Sequence, residues 1–243
     1  MSLRASAVIV AGGSGSRIGG APKQFREVGG RPMLAWSCES FAEHPEIGLV
    51  VVVLPADVVA DPPDWLEQFG VRLTAGGATR RASVREGLTA VAEACEAGEA
   101  SPAVLIHDAA RPFVSPGLIG RLARAASGGP VIPVLPVADA IKQVRSAGGE
   151  QAQVVEATLD RARLRAAQTP QGFPFAVICR LHEAAAAEGI EPPDDAALCE
   201  RAGIEVRTVP GERFAWKITH PEDLAVADWL VASGRIGGSG EAP

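Results

Sequence analysis

The chain has 243 residues, 47% of them hydrophobic and 21% charged, with a formal net charge of -6. That length and apolar content support one sizeable buried core and exclude a disordered chain. The acidic balance argues against a sequence-independent grip on a nucleic acid backbone, yet leaves room for a small anionic substrate held by a few converging cations.

Taken in chain order, the apolar run Ala7-Val10 predicts a first strand, and a glycine-rich stretch (AGGSGSRIGGAPKQF, residues 11 to 25) follows it at once. An amphipathic segment at Met33-Phe41, an apolar run at Gly48-Leu54 and a long amphipathic segment at Arg81-Ala97 predict helix, strand and helix. Ala103-Ile106, Leu118-Ala126 and Pro130-Val134 repeat the alternation. Strands alternating with helices predict an α/β fold, with a mostly parallel twisted sheet and helices on both faces. Ligands of such sheets lie beyond the carboxyl ends of the strands.

Residues 137 to 163 break the rhythm. Val137-Arg145 and Gln153-Leu159, joined through Ser146-Ala147-Gly148-Gly149, predict a protruding hairpin. An apolar hairpin is marginal alone, so it packs either against a second copy of the chain, giving a homodimer, or on its own domain. Residues 1 to 236 are expected to form one domain, and residues 237 to 243 a flexible tail. The four cysteines lie far apart with no metal-ligand spacing. The apolar run near the start is too short to span a membrane and has no signal-peptide pattern. The expectation is a cytoplasmic protein with reduced thiols.

Three stretches carry chemistry. In the first loop, Ala11, Gly12, Gly13 and Gly15 let backbone N–H groups approach a nucleotide without Cβ interference. Neither the dinucleotide fingerprint nor the P-loop pattern is present. Arg17 and Lys23 flank this loop as two cations able to neutralise charge as an α-phosphorus is attacked and pyrophosphate departs. In GGATRRASV (residues 76 to 84), Gly76, Arg80 and Ser83 offer backbone and hydroxyl groups for a pyrimidine edge and an arginine for phosphate. In HDAARP (residues 107 to 112), Asp108 at a strand end suits Mg²⁺ or another divalent cation between triphosphate oxygens. A lone strand-end Asp is also a common helix cap. Arg111 pairs with Asp108 or with phosphate, and Ala109 and Ala110 leave room for a ribose. Arg161 after the hairpin, Thr169 in TPQGF, Asp194-Asp195, and Lys217 with Thr219 in WKITHPEDL complete an acceptor side.

In this order, AGGSGSR, PKQF, GGATRRASV, HDAARP, the Asp160-Arg161 pair before TPQGF, PDDA and KITHPEDL resemble the 2-C-methyl-D-erythritol 4-phosphate cytidylyltransferase family over nearly the whole chain. The resemblance implies a Rossmann-like domain whose β-arm interlocks two subunits, and a reaction that joins CTP to a polyol phosphate by direct displacement. It also implies site roles. Arg17 and Lys23 match the family's transition-state cations, and Asp108 its metal-binding aspartate. The Gly12-Gly13 backbone, Arg80 and Ser83 match its nucleotide contacts. Arg161 from a partner's arm and Lys217 match residues that grip the acceptor phosphate, while Thr169 and Thr219 line that pocket. The sequence departs from the family pattern at Ala140, where the arm usually carries threonine, at Pro193, and at Ala215-Trp216. These departures keep a ribitol 5-phosphate cytidylyltransferase in view as a rival. A sugar 1-phosphate nucleotidyltransferase fits less well, since HDAARP and TPQGF are foreign to it. A non-catalytic nucleotide-binding subunit would have no need of Arg17, Lys23, Asp108 and Lys217.

Overall fold

A computed structural model describes residues 4–12, 23–96, 102–148 and 153–236, the side chains of Lys23 and Glu96 excepted. Strand β1 (Ala5–Val10) is followed by a 3₁₀ turn (Lys23–Phe25), a short ribbon of β2 (Glu27–Val28) and β3 (Arg31–Pro32), helix α1 (Met33–Ala42) and β4 (Ile47–Leu54). Next come α2 (Ala56–Ala60), β5 (Arg72–Ala75), α3 (Arg80–Glu96), β6 (Ala103–Asp108), α4 (Pro116–Ala126) and β7 (Val131–Pro136). The hairpin strands are β8 (Lys142–Ser146) and β9 (Gln153–Thr158). They are followed by β10 (Arg165–Ala167), β11 (Gln171–Pro174), α5 (Phe175–Ala187), α6 (Ala196–Arg201), β12 (Arg207–Pro210) and α7 (Pro221–Ala232).

The main sheet runs β10-β7-β11-β6-β1-β4-β5, with β12 also paired to β7. The pairs of β1 with β4 and β6, of β4 with β5, and of β12 with β7 are parallel; β10 and β11 are antiparallel to their neighbours. The three central strands are continuous apolar runs because both of their faces are buried. Alternation divides them cleanly. Ala7, Ile9, Val50, Val52, Leu54 and Leu105 face a core shared with Leu34 and Phe41 of α1 and Leu118 and Leu122 of α4. Val8, Val51, Val53, Val104 and Ile106 face another, shared with Val84, Leu88 and Val91 of α3 and Ile178 of α5. Helix α3 lies close on the sheet at Gly87, where a Cβ would collide with Val8 and Val53.

From β1 the chain builds outward through β4 and β5, then crosses back so that β6 lies on the other side of β1. In sheets of this kind such a reversal marks the region outside the carboxyl ends of the strands beside it, here β1 and β6, as the place for a ligand. It is where the chemistry-bearing loops meet.

The hairpin pairs over a shorter stretch than its sequence predicts. Regular pairing begins only at Lys142, opposite Thr158, with an irregularity between Gln143 and Val144. Both strands are almost wholly exposed, including Val144, Val154 and Val155. Strands β10, β11 and β12 carry too little apolar patterning to be anticipated.

Candidate active site

The carboxyl ends of the central strands are stitched together by backbone. The Ala11 N–H donates to the Val53 carbonyl at 2.9 Å, and the Ala109 N–H to that of Val10 at 3.1 Å. Gly12 follows, facing Gly76 and Ser83: a Cβ on Gly12 would lie 3.4 Å from the Ser83 Oγ, and one on Gly76 would be forced to 2.9 Å from it. The two glycines and the serine therefore form one close-packed backbone surface. Gly13, Gly15 and Arg17 lie outside the described residues, as does the Lys23 side chain.

Helix α3 opens on this surface with Arg80. Its Nε and Nη2 both lie 3.1 Å from Oδ1 of Asp108, the last residue of β6, and Nη2 lies 2.9 Å from Oδ2 of Asp195. Lys217 Nζ takes the other oxygen of Asp108 at 2.7 Å. Burial opposes ionisation of Asp108, but Arg80 and Lys217 outweigh it and hold its pKa well below the usual carboxylate range. Burial likewise works against the charge on Arg80, and Asp195 and Asp108 more than offset it, raising its pKa above the ordinary value. Two cations are thus fixed on one carboxylate at the strand end.

Lys217 owes its place to a brace of backbone contacts. The Ile218 N–H donates to the Ala110 carbonyl at 2.8 Å, docking the loop onto HDAARP. Arg111 Nη1 and Gln168 Nε2 both donate to the Ala215 carbonyl, at 2.8 and 3.2 Å. Downstream, Asp223 in the first turn of α7 accepts from the N–H groups of Thr219 and His220, at 2.6 and 2.8 Å. The Thr219 hydroxyl donates to the Lys217 carbonyl at 3.0 Å. Arg111 therefore spends its guanidinium on backbone carbonyls rather than on Asp108.

Behind Asp108, His107 is fully buried. Its Nε2 lies 3.1 Å from the Arg111 carbonyl and must carry the hydrogen, so Nδ1 accepts from the Thr169 hydroxyl, also at 3.1 Å. The same hydroxyl accepts from the Asp108 N–H at 3.0 Å. With its one hydrogen committed to His107, Thr169 serves the site here by fixing Asp108; donating to a bound phosphate would require that pairing to break. Burial pushes the His107 pKa down to about 4, against the pull of Asp108.

A free histidine takes its proton near pH 6.5. Between there and about 4 the unfolded chain binds more protons than the folded one, so stability rises with pH through this window and levels off above it. Denaturant unfolding of the nucleotide-free protein is expected to lose about 2 kcal/mol between pH 7 and pH 5 through this group. His107→Gln should flatten the slope; an equal slope in both proteins would remove His107 as its source.

Arg161 stands apart from this cluster. It lies at the foot of the hairpin, donates to the Ala138 carbonyl, and lines an open groove of about 670 Å³ with Pro136, Asp160 and Arg165. Among the described residues, no hydrogen bond or ion pair joins it to Asp108 or Lys217 of the same chain. Two residues absent from the candidate set prove central to the packing of the site: Gln168, and His182, whose Nε2 lies 3.0 Å from Oδ1 of Asp195. Neither carried a sequence signal of its own: Gln168 stands beside Thr169, and His182 between Leu181 and Glu183 in a run of mixed polarity.

Comparison with known proteins places the chain in a family and a fold. The family model described as IspD, 2-C-methyl-D-erythritol 4-phosphate cytidylyltransferase, matches residues 5–233. The bifunctional enzyme IspD/IspF of Nitrobacter winogradskyi is 47% identical over 236 residues, covering 96% of this chain and 57% of the relative. The chain thus spans just over half the length of such curated relatives. The crystal structure of 2-C-methyl-D-erythritol 4-phosphate cytidylyltransferase from Thermus thermophilus is 38% identical with a TM-score of 0.74, over 93% of this chain and 98% of that one. The 4-diphosphocytidyl-2C-methyl-D-erythritol synthase of Anaerococcus prevotii is 29% identical with a TM-score of 0.80, over 94% and 96% of the two chains. With a family model spanning nearly all of the fold and solved members sharing its Rossmann-like architecture, this chain belongs to the 2-C-methyl-D-erythritol 4-phosphate cytidylyltransferase family.

Proposed function

We propose that the chain transfers the cytidylyl group of CTP to the phosphate of 2-C-methyl-D-erythritol 4-phosphate and releases pyrophosphate. The observation that carries this reading is the meeting of Asp108, Arg80 and Lys217 beside the Gly12, Gly76 and Ser83 surface, in a chain matched by the family over residues 5–233. An acceptor phosphate oxygen attacks the α-phosphorus, forming a new P–O bond. The bond to the bridging β-phosphate oxygen breaks, and its electron pair leaves on pyrophosphate. No protein nucleophile is needed, so catalysis is positioning and charge stabilisation.

In this reading the backbone of Ala11, Gly12, Gly13, Gly15, Gly76 and Ala109, with Ser83 and Arg80, holds the cytidine nucleotide. Arg17 and Lys23 act on the charge that develops in the transition state. Lys217 and the partner subunit's Arg161 grip the acceptor phosphate, which makes the homodimer part of the proposal. Asp108 fits Mg²⁺ or another divalent cation: it is ionised, and its Oδ2 accepts from Lys217 alone, which leaves that oxygen a further lone pair. Among the described residues no cluster of three His, Cys, Asp or Glu could hold a metal unaided, and a cation held by Asp108 would draw further ligands from phosphate oxygens and water. When bound, the cation neutralises phosphate charge. Residues 1 to 236 act as one nucleotidyltransferase domain; the tail expected at 237 to 243 lies outside the described residues. A cytoplasmic setting accords with cysteines 38, 95, 179 and 199, which are all free thiols, and with the lack, among the described residues, of a helix long and apolar enough to cross a membrane.

CTP-dependent pyrophosphate release, measured with methylerythritol phosphate and ribitol 5-phosphate side by side, tests the reading. Release with the first acceptor and not the second is expected. The reverse would transfer the assignment to the ribitol enzyme, which Ala140 and Pro193 keep in contention, and release with neither would refute cytidylyl transfer to both. Arg161→Ala is expected to raise the acceptor KM about 10- to 100-fold, the loss of a charge-assisted hydrogen bond, with the CTP KM moving less than about twofold. A monomeric variant with full activity would refute completion of the site by the arm.

A further inference from the structure

The cluster at Asp108 does not end at Arg80. Asp195, fully buried at the start of α6, presents Oδ2 to Arg80 at 2.9 Å and Oδ1 to His182 Nε2 at 3.0 Å, and His182 is itself fully buried in α5. An unbroken line of side chains therefore runs His182, Asp195, Arg80, Asp108, Lys217. It crosses from α5 through the start of α6 and the first turn of α3 to the end of β6.

The inner end of this line is an expensive way to fill a core. His182 lies one helical turn after the buried Ile178 in α5, Asp195 one turn before the buried Leu198 and Cys199 of α6, and the His182 Nδ1 has no hydrogen-bond partner. Burying a carboxylate and a half-satisfied imidazole is less favourable than burying a leucine of similar bulk. What the arrangement gains is direction. Arg80 is a long side chain, less than a third exposed, whose fork is held between two carboxylates. Asp108 alone would leave it free to pivot about Oδ1. Asp195 fixes the second point, and His182 fixes Asp195, because a carboxylate with one oxygen unpaired can rotate about its own bond. Asp195 precedes a helix only six residues long, so local backbone offers little rigidity of its own.

We propose that His182 is a positioning residue: acting through Asp195, it orients the Arg80 guanidinium, and with it the nucleotide side of the site. The functional half of this inference rests on the nucleotide reading above; the orientation of Arg80 does not.

The test compares the unsubstituted chain with His182→Leu, which removes the donor at similar bulk, and His182→Gln, whose amide can still donate to Asp195. Two readouts are taken: the ¹⁵N NMR signal and solvent exchange of the Arg80 Nε–H, and calorimetric CTP affinity with acceptor KM. His182→Leu is expected to lose protection of the Arg80 Nε–H and to weaken CTP binding about tenfold, the low end of the loss when an outer supporting partner is removed, with acceptor KM unchanged. His182→Gln is expected to keep both within about threefold. An ordered Arg80 and unchanged CTP affinity in His182→Leu would overturn the inference, and so would equal losses in both variants that follow only their melting temperatures. If His182→Leu does not fold, His182→Gln decides: tenfold weaker CTP binding overturns the proposal and near-native binding supports it. Should the unsubstituted chain fail to bind CTP while Arg80 protection still depends on His182, the nucleotide reading falls and the positioning role stands.

Discussion

Asp108→Asn is expected to lower turnover about 10²- to 10³-fold, the range for losing a preorganised charged group in a site of this kind. Asparagine keeps the shape of the side chain but removes the charge that Arg80 and Lys217 share. Three losses coincide. The two cations are no longer neutralised between substrates, their geometry loosens, and the carboxylate proposed to hold a divalent cation at the triphosphate is gone. The fold should survive, since Arg80 keeps Asp195 and Lys217 is exposed enough to turn toward water. The measurements are steady-state pyrophosphate release and thermal stabilisation by CTP with Mg²⁺. A turnover unchanged in a normally folded Asp108→Asn protein would remove Asp108 from the mechanism.

Lys23→Ala is expected to lower turnover over the same range, with a different signature. Negative charge on the departing pyrophosphate and the α-phosphoryl oxygens grows as the bond breaks, so a fixed cation there acts on the transition state more than on bound CTP. In the proposed reading, ground-state binding of the nucleotide is spread over the Gly12 and Gly76 backbone, Ser83 and Arg80. The prediction is therefore a large fall in kcat with CTP affinity, measured by calorimetry, changing less than about tenfold. A normal kcat would remove Lys23 from the chemistry. A KM effect alone would make it a binding residue.

The two substitutions act on different layers of the site, and both residues stood out in the sequence. The loop motifs were legible because their chemistry is local: glycines directly after a strand, cations beside them, and an aspartate ending a buried run are patterns of neighbouring residues. The central α/β alternation was legible for the same reason, since apolar runs such as Gly48-Leu54 and Ala103-Ile106 reflect burial on both faces of a parallel sheet. Strands β10, β11 and β12 escaped notice because three or four residues of mixed polarity have no period to detect, and only pairing with β6 or β7 makes them strands.

By itself, then, the sequence determined the order of the motifs, the family they resemble, and the central strands whose ends carry them. Only the tertiary structure decided which charges meet. Hydrogen-bonded pairs among Arg80, Asp108, Asp195 and Lys217 are separated by up to 115 positions along the chain, and His182 looks like any other polar residue of α5, beside Arg180 and Glu183, until that helix is laid against α3 and α6. Such pairings are set by how helices cross a twisted sheet, and short-range sequence carries no record of that crossing. The same holds for Thr169: its hydroxyl reads as a ligand group in TPQGF, and becomes a brace for Asp108 only because β11 returns antiparallel to β6 and brings it against His107.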